Sequence, residues 1–525
     1  MMLDIGVAVK TEKTEFLGMR HDAPKVADLT HSGVLSRNVL INVIAQLIPL
    51  FAAVGSIPIV IGAIGTYKFG LLSLIWIFVG SFSMFDFGLG RATTKVIAER
   101  LGGGRESEIP YVFWTSLILM LAIGFTGSVI MFLATPWIVH SGLNIPESLQ
   151  ADMLRSLRMI SVFIPVLAST AGLMGSLEAQ QQFMELNAIR APMGVFYFLG
   201  PLMVLPFSRH LFPIVAVLLA GRIIGWCGYL FTCLRHMPSV RVRIMIDLKL
   251  VRSLLSMGGW MTVSNIISPL MTAMDRFMVG SLLSAEAVAY YSTPYDLVLR
   301  VLIIPSAFIG VFFPAFSTSF AENIGRTEVL FEKALKYLVI VMFPVVLTVV
   351  ALGQNGLRIW LGYAFAQESA TVMQVLAIGV FVCGLAFLPF SLLQGVGRPD
   401  ITAKLHLAEF PLYALGLWFL VSKFGIIGAA FGWTLRVCLD AALLFVVSRR
   451  IMGGSLLRRP HAVGAMAAGL LILPLAMLQT GPTVKVCFLL AALGVFGWLV
   501  WSRILSMEER CAMLRLVGKD VHHIG

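Results

Sequence analysis

The chain has 525 residues, of which 58% are hydrophobic and only 13% charged, with a mean hydropathy of +0.90. Soluble domains are about 45–50% apolar and about 25% charged, so a water-soluble enzyme is excluded at the outset. The 39 Lys and Arg outnumber the 27 Asp and Glu, for a net charge of +12, but they sit in short clusters between apolar runs. No aromatic-interleaved basic patch marks a nucleic-acid surface.

At about 20 residues per crossing, about 304 apolar side chains furnish at most about fifteen membrane helices. Residues 1–35 form a polar tail without the apolar core of a secretory signal, so the tail is expected to stay attached. Fourteen candidate spans follow: 38–64, 69–90, 110–133, 156–176, 191–207, 211–232, 256–281, 288–314, 335–353, 372–393, 407–421, 427–447, 461–479 and 484–502. The expected fold is an all-α polytopic membrane protein of two six-helix lobes, 36–235 and 250–450, around a central cavity. An additional helix pair at 461–502 and a tail at 503–525 close the chain. Six cysteines (Cys227, Cys233, Cys383, Cys438, Cys487 and Cys511) show no CxxC pairing, so neither a disulfide framework nor a metal site is indicated.

Basic residues orient the spans. With the N-terminus inside, 28 of the 39 Lys and Arg fall in inner segments, 7 in outer segments and four within the spans. Both termini are therefore expected on the cytoplasmic side of the inner membrane, in contact with its lipids. The longest outer loops, 134–155 and 354–371, are too short to hold a catalytic domain.

A weak internal repeat runs through this pattern. Gly70-Leu71-Leu72-Ser73 resembles Ala289-Tyr290-Tyr291-Ser292, Gly104-Arg105 matches Gly325-Arg326, Pro49 matches Pro269, and Glu178-Ala179 aligns with Gln394-Gly395. The offsets stay between 216 and 221 residues while the span count advances by six. Six is even, so both halves cross in the same sense, a parallel repeat of the kind that places substrate between the halves.

Catalytic signatures are missing: there is no GxxxxGK[ST], HExxH or GxSxG, and Gly88-Leu89-Gly90 follows a membrane helix rather than a strand. No cofactor is expected, and without a nucleotide site transport runs down a gradient or on an ion. The informative residues are charges inside apolar runs, which cost roughly 2.5–3.5 kcal/mol on insertion scales and so face a cavity or a partner. Arg222, Arg276, Arg300 and Arg436 are the candidate cavity cations. Asp296 with Arg300, and Arg436 with Asp440, are spaced i,i+4 and have the alternative of pairing on one helix face. Asp275, Asp296, Asp440, Asp86 and Glu178 are candidates for ion coupling or for pairing. Asp86 and Glu178 sit at span ends, where capping or pairing with Arg91 is the simpler role. Pro49, Pro58, Pro269, Pro305 and Pro314 break helical hydrogen bonds, as static kinks or as gate hinges.

Ser36-Arg37-Asn38, the segment 65–71 and Phe85-Asp86-Phe87-Gly88-Leu89-Gly90-Arg91 resemble the amino-terminal half of the Wzx-type polysaccharide flippases. Met274-Asp275-Arg276-Phe277-Met278-Val279-Gly280 with Ala289-Tyr290-Tyr291-Ser292 resembles the start of their second half. Leu393-Gln394-Gly395-Val396-Gly397-Arg398-Pro399-Asp400 is similar to their tenth-to-eleventh helix connection. The resemblance implies a member of the multidrug/oligosaccharidyl-lipid/polysaccharide flippase superfamily, with two lobes forming a V. It implies a polyprenyl-pyrophosphate-linked oligosaccharide as substrate, met in the cavity by Arg276, Arg300 and Arg436, with Arg222 as a fourth cation. Other polysaccharide-assembly proteins are the implied partners. The polar tail and the final helix pair depart from the Wzx pattern; the pair resembles the fourteen-helix lipid II flippases. The alternatives are a lipid II flippase, a cation-coupled multidrug exporter, which requires an acidic cavity, and a membrane polymerase or ligase, which requires a large outer loop.

Overall fold

A computed structural model describes residues 32–84, 88–242, 244–257, 259–322, 324–452, 471–478, 481–507 and 509–510. Every regular element among them is a helix. The first lobe comprises α1 (Ser32–Ile64), α2 (Thr66–Met84), α3 (Leu89–Gly102), α4 (Ile109–Trp137), α5 (Glu147–Ala179), α6 (Phe183–Val204) and α7 (Leu211–His236). Two short helices, α8 (Pro238–Val242) and α9 (Leu248–Met257), lead to the second lobe. That lobe holds α10 (Gly259–Leu282), α11 (Ala285–Leu299), α12 (Ile303–Glu322), α13 (Ile324–Leu361), α14 (Tyr363–Gly395) and α15 (Pro399–Ile451). A last helix, α16 (Pro482–Leu499), follows.

Apart from the short, charge-bearing α3 and α9, most of these helices are largely apolar, the pattern of a membrane bundle in which lipid and neighbouring helices are equally greasy surroundings. Among the described residues eight helices are long and apolar enough to cross a membrane. Exposed Phe51, Leu133, Phe207 and Ile359 clothe the outside, as expected of side chains that face acyl tails. Small residues bring backbones together inside: a Cβ at Gly124 would stand 2.5 Å from the Pro165 Cα, and one at Gly175 would stand 2.5 Å from the Gly90 carbonyl oxygen. Buried hydroxyls return their protons to the preceding turn, as Ser73 Oγ does to the Phe69 carbonyl at 3.0 Å.

The repeat read from weak landmarks is carried by the elements themselves. α2 begins at Thr66 and α11 at Ala285; α5 and α14 are each 33 residues long, from Glu147 and Tyr363 respectively. The predicted spans 407–421 and 427–447 lie in α15, a hairpin of two helices folded at Gly425. Gly425 sits at φ 60°, ψ −140°, open to glycine and closed to other residues.

Two expected spans are interrupted. In the span 69–90, α2 is described as far as Met84, and at Gly88 the backbone turns left-handed (φ 74°) before the chain runs on as α3, which carries Arg91, Lys95, Glu99 and Arg100. The span 288–314 breaks into a tighter turn at Arg300–Leu302. Pro305 has no N–H for the Val301 carbonyl and its ring crowds that carbonyl, so the regular helix cannot run through. The span 461–479 is described only from residue 471 onward, and the tails before residue 32 and after 510 lie outside the described residues, with Cys511 and Asp86 also outside them. The remaining five cysteines are free thiols.

The lobes meet through α2 and α11. The seam lies at the end of the bundle that holds the α1–α2, α4–α5 and α10–α11 turns. Gly70 there presses on the Ala285 carbonyl so closely that an added Cβ would lie 1.6 Å from its oxygen. Tyr67 Oη donates to the Asn144 carbonyl at 2.8 Å, and Asn144 Nδ2 donates to the Leu283 carbonyl at 2.9 Å. Asn144 N also donates to the Gly280 carbonyl at 3.2 Å. This end is closed, which leaves any space between the lobes toward the opposite end.

α16 docks on the outside of the second lobe against α13. Phe343 and Phe496 pack as a tilted pair with ring centroids 4.4 Å apart. Lys485 Nζ reaches Gln354 Oε1 at 3.2 Å, and beyond α16 Glu509 Oε2 accepts from Lys336 Nζ at 2.7 Å.

Candidate functional site

Two chambers and a passage open between the lobes on the unsealed side. The first-lobe chamber, about 550 Å³, is bounded by Arg91 on α3, Glu178 on α5, Arg190 and Tyr197 on α6, Arg222 on α7, and Arg300 from the second lobe. The second-lobe chamber, about 380 Å³, is lined by Arg91, Tyr295, Gln394, His406, Arg436 and Asp440. Between them a passage of about 250 Å³ carries Trp76, Tyr197, Arg276, Asp296 and Arg300. Arg91 borders both chambers and Arg300 borders the first chamber and the passage, so the three spaces form one cavity system.

All four arginines singled out in the sequence line this system. Among the described residues six arginines face it, against the three carboxylates of Glu178, Asp296 and Asp440. Aromatic rings hold several guanidinium groups in place. Arg222 lies over Tyr197 at 5.5 Å, Arg276 over Tyr295 at 4.1 Å and Arg436 over Tyr413 at 5.8 Å. A guanidinium on an aromatic face keeps its N–H edge free for an anion. Arg222, Arg300, Arg436 and Arg91 have no carboxylate within ion-pair distance among the described residues.

The pairs differ from those the spacing offered. Asp296 Oδ1 bonds across to Arg276 Nη1 at 3.3 Å instead of to Arg300. The chain changes from α-helix to the tighter turn at Arg300, so the i,i+4 register is lost there. Asp440 Oδ1 faces His406 Nε2 at 3.7 Å instead of Arg436. Glu178 Oε1 meets Arg190 Nη2 at 3.5 Å rather than Arg91. Asp275 is fully buried behind the passage, where it accepts from Tyr291 Oη at 2.6 Å and from the Arg276 N–H at 2.8 Å. It ties α10 to α11 and does not line the cavity.

Arg91 and Arg190 are the cations the sequence hid, because their place at span ends reads as a topology signal. His406 and Glu409 were equally inconspicuous, single polar residues in a short apolar run. Outside the spans, Arg398 hydrogen-bonds Asp400 at 2.9 Å, and this contact, with Lys404 alongside, holds the Asp400 carboxyl down to about 2. The Arg398-Pro399-Asp400 connection is thus a charged staple at the mouth of α15. Among the described residues no group of three or more His, Cys, Asp or Glu is gathered to hold a metal ion.

The model of a family described as polysaccharide biosynthesis protein matches residues 35–320. The chain belongs to that family. This polysaccharide biosynthesis protein is 30% identical over 414 residues to a putative O-antigen transporter of Shigella flexneri, covering 78% of the present chain and 96% of the relative. It is 24% identical to the membrane protein EpsK of Bacillus subtilis, covering 66% and 69% of the two chains. Among solved structures, an inward-facing multidrug transporter of the MATE family superposes with a TM-score of 0.66 at 13% identity, covering 78% of this chain and 94% of that one. The lipid II flippase MurJ superposes with a TM-score of 0.65 at 12% identity, covering 93% and 100%. These likenesses show the fold, a bundle of helices shared with those membrane proteins. The transporters and flippases among them are not enzymes.

Proposed function

We propose that this protein flips a polyprenyl-diphosphate-linked oligosaccharide from the inner to the outer leaflet of the cytoplasmic membrane. The observation that carries the reading is the cavity itself: sealed at one end, open toward the other, and lined by twice as many arginines as carboxylates. Family membership and the relative named as an O-antigen transporter support the same class of cargo.

The geometry suits the task. A diphosphate in the first-lobe chamber meets Arg222 and Arg300 from opposite lobes, with Arg91 and Arg190 within the same space. Guanidinium–phosphate contacts are bidentate and charge-assisted, and in a partly desolvated cavity each is worth about 1.5–3 kcal/mol. Trp226 on the same wall adds an indole ring to the chamber lining for a sugar to pack against. The prenyl chain stays in lipid. The excess of basic residues in the inner segments supports a cytoplasmic open end, in which case this state is ready to load. Opening the α2–α11 seam while the lobes close on the other side would release the headgroup outward. An exporter of cationic drugs needs a cavity of the opposite sign.

The test is complementation of a strain lacking the gene. Replacing Arg222 and Arg300 together by alanine should abolish surface polysaccharide while the protein stays in the membrane at normal abundance. Normal output from the double variant would overturn the cavity assignment.

A further inference from the structure

The second lobe contains a polar cluster that headgroup binding does not use. On the first helix of the α15 hairpin, His406, Glu409 and Tyr413 share one face. Arg436 and Asp440 stand opposite on the second helix. His406, Glu409 and Tyr413 are buried to all but 7%, 3% and 5% of their surface. Yet both carboxyl oxygens of Glu409, His406 Nδ1, Tyr413 Oη and Asp440 Oδ1 lack any hydrogen-bond partner. Native interiors leave few such atoms, and several within one hairpin require an explanation.

Among the described residues, the groups packed around the cluster supply no donor to Glu409. α10 brings Asp275, already held by Tyr291, and Arg276, already held by Asp296. α11 brings Tyr291 and Tyr295, and α14 brings Cys383 beside Arg436 and Asp440. Arg436 rests over the Tyr413 ring. An ionised carboxylate buried without a donor is costly, and a proton removes that charge. A proton neutralises the carboxylate without requiring any further ligand around it, and it is the species this donor-poor site suits.

The cavity wall comes within one helical turn of that carboxyl. His406 and Asp440 both line the second-lobe chamber, with Asp440 3.7 Å from the His406 ring, while Glu409 sits behind them one helical turn from His406. We infer that Glu409 is a proton-carrying site, loaded and unloaded through His406 and Asp440 on the cavity wall, whose occupancy is coupled to the movement of the lobes. In loading, hydronium in the chamber gives its proton to the Asp440–His406 pair. The pair passes a proton to a Glu409 oxygen, where the O–H bond forms as the donor's N–H or O–H bond breaks. In unloading the steps reverse to water. The bare carboxylate then faces Arg436 as its cation, and drawing that guanidinium off the Tyr413 ring shifts the second helix of the hairpin. The coupling, though not the proton site itself, rests on the flippase reading.

Infrared difference spectra of the full-length protein in liposomes, on a step from acid to alkaline pH, test the site without any cargo. Wild type should show a protonated-carboxyl band that is lost on the step. Glu409→Gln should lack the band, Glu409→Asp should keep one, and His406→Gln should shift the pH at which the band is lost. A wild-type spectrum unchanged in Glu409→Gln overturns the site. In the complementation strain, Glu409→Gln at normal abundance should lose polysaccharide output and Glu409→Asp should restore part of it. Full output from Glu409→Gln overturns the coupling. A wild-type protein that gives no output contradicts the flippase reading and leaves the infrared result to decide the proton site.

Discussion

The two lobes are copies in backbone and unlike in charge. At an offset of 216, α5 falls on α14 and α6 on the first helix of the α15 hairpin. Tyr197 then falls on Tyr413, and each ring holds an arginine, Arg222 in the first lobe and Arg436 in the second. The resemblance stops there. Glu178 corresponds to Gln394 and Arg190 to His406, while Met193 corresponds to Glu409. The first chamber therefore holds its arginines with one carboxylate, and the second combines one arginine of its own with His406, Asp440 and the buried Glu409. The two walls share one order of helices, and one is rich in arginine while the other mixes arginine, histidine and carboxylates; we read the first as the anion's wall and the second as the proton's.

That division is open to attack from its seam. Gly70→Leu should have the largest effect, since no side chain fits against the Ala285 carbonyl. Overpacking of this kind costs about 1–3 kcal/mol, and here the cost falls on the closed end. A cysteine placed at Ala289, fully buried against Gly70, should become reactive to a water-soluble maleimide, and polysaccharide output should fall. An unreactive cysteine and normal output would mean the seam is not a gate.

The comparison of walls predicts that Arg222→Ala weakens headgroup binding more than Arg436→Ala does. Loss of a charge-assisted contact worth about 1.5–3 kcal/mol lowers affinity about 10- to 100-fold. Arg222→Lys should recover only part of it, because an ammonium cannot grip a phosphate at two points. Binding of inorganic diphosphate by calorimetry ranks the three variants, and equal losses at Arg222 and Arg436 would erase the distinction between the chambers. Tyr67→Phe, which removes one neutral hydrogen bond of the seam, should be milder, at about 1 kcal/mol of thermal stability.

The smallest effect belongs to the appended helix. Despite the burial that opposes it, hydrogen bonds from Lys336 and Tyr337 hold the Glu509 carboxyl down to about 2. A depressed value means that this contact stabilises docking fully above the ordinary carboxylate range and is lost as pH falls through that range toward about 2. Limited proteolysis of the C-terminal segment should therefore quicken only in strong acid, and at neutral pH in Glu509→Gln. The duplicated lobes should be untouched.

Much of this was legible in the chain. Apolar runs of membrane length locate the helices, and Gly70, Pro49 and Glu178 with their partners some 216–220 positions on reveal the repeat. The four intramembrane arginines stand out because charge in a span is expensive, and all four line the cavity. What stayed hidden depends on three-dimensional neighbours. Arg91 and Arg190 read as loop charges until α3 and α6 turn them toward the chamber. The partners of Asp296 and Asp440 come from other helices, 20 and 34 positions away, which the i,i+4 rule does not address. Glu409 looks like an ordinary edge residue of a short span, and only the missing donors around it mark it out.

The central claim is that the arginine-lined cavity moves an anionic, sugar-bearing lipid across the bilayer. Purified protein in liposomes, loaded on one leaflet with a polyprenyl-diphosphate disaccharide and probed by a lectin confined to the other side, measures this directly. The account predicts transfer by wild type and none by the Arg222→Ala, Arg300→Ala double variant. Transfer at the same rate by both, or by neither, would contradict it.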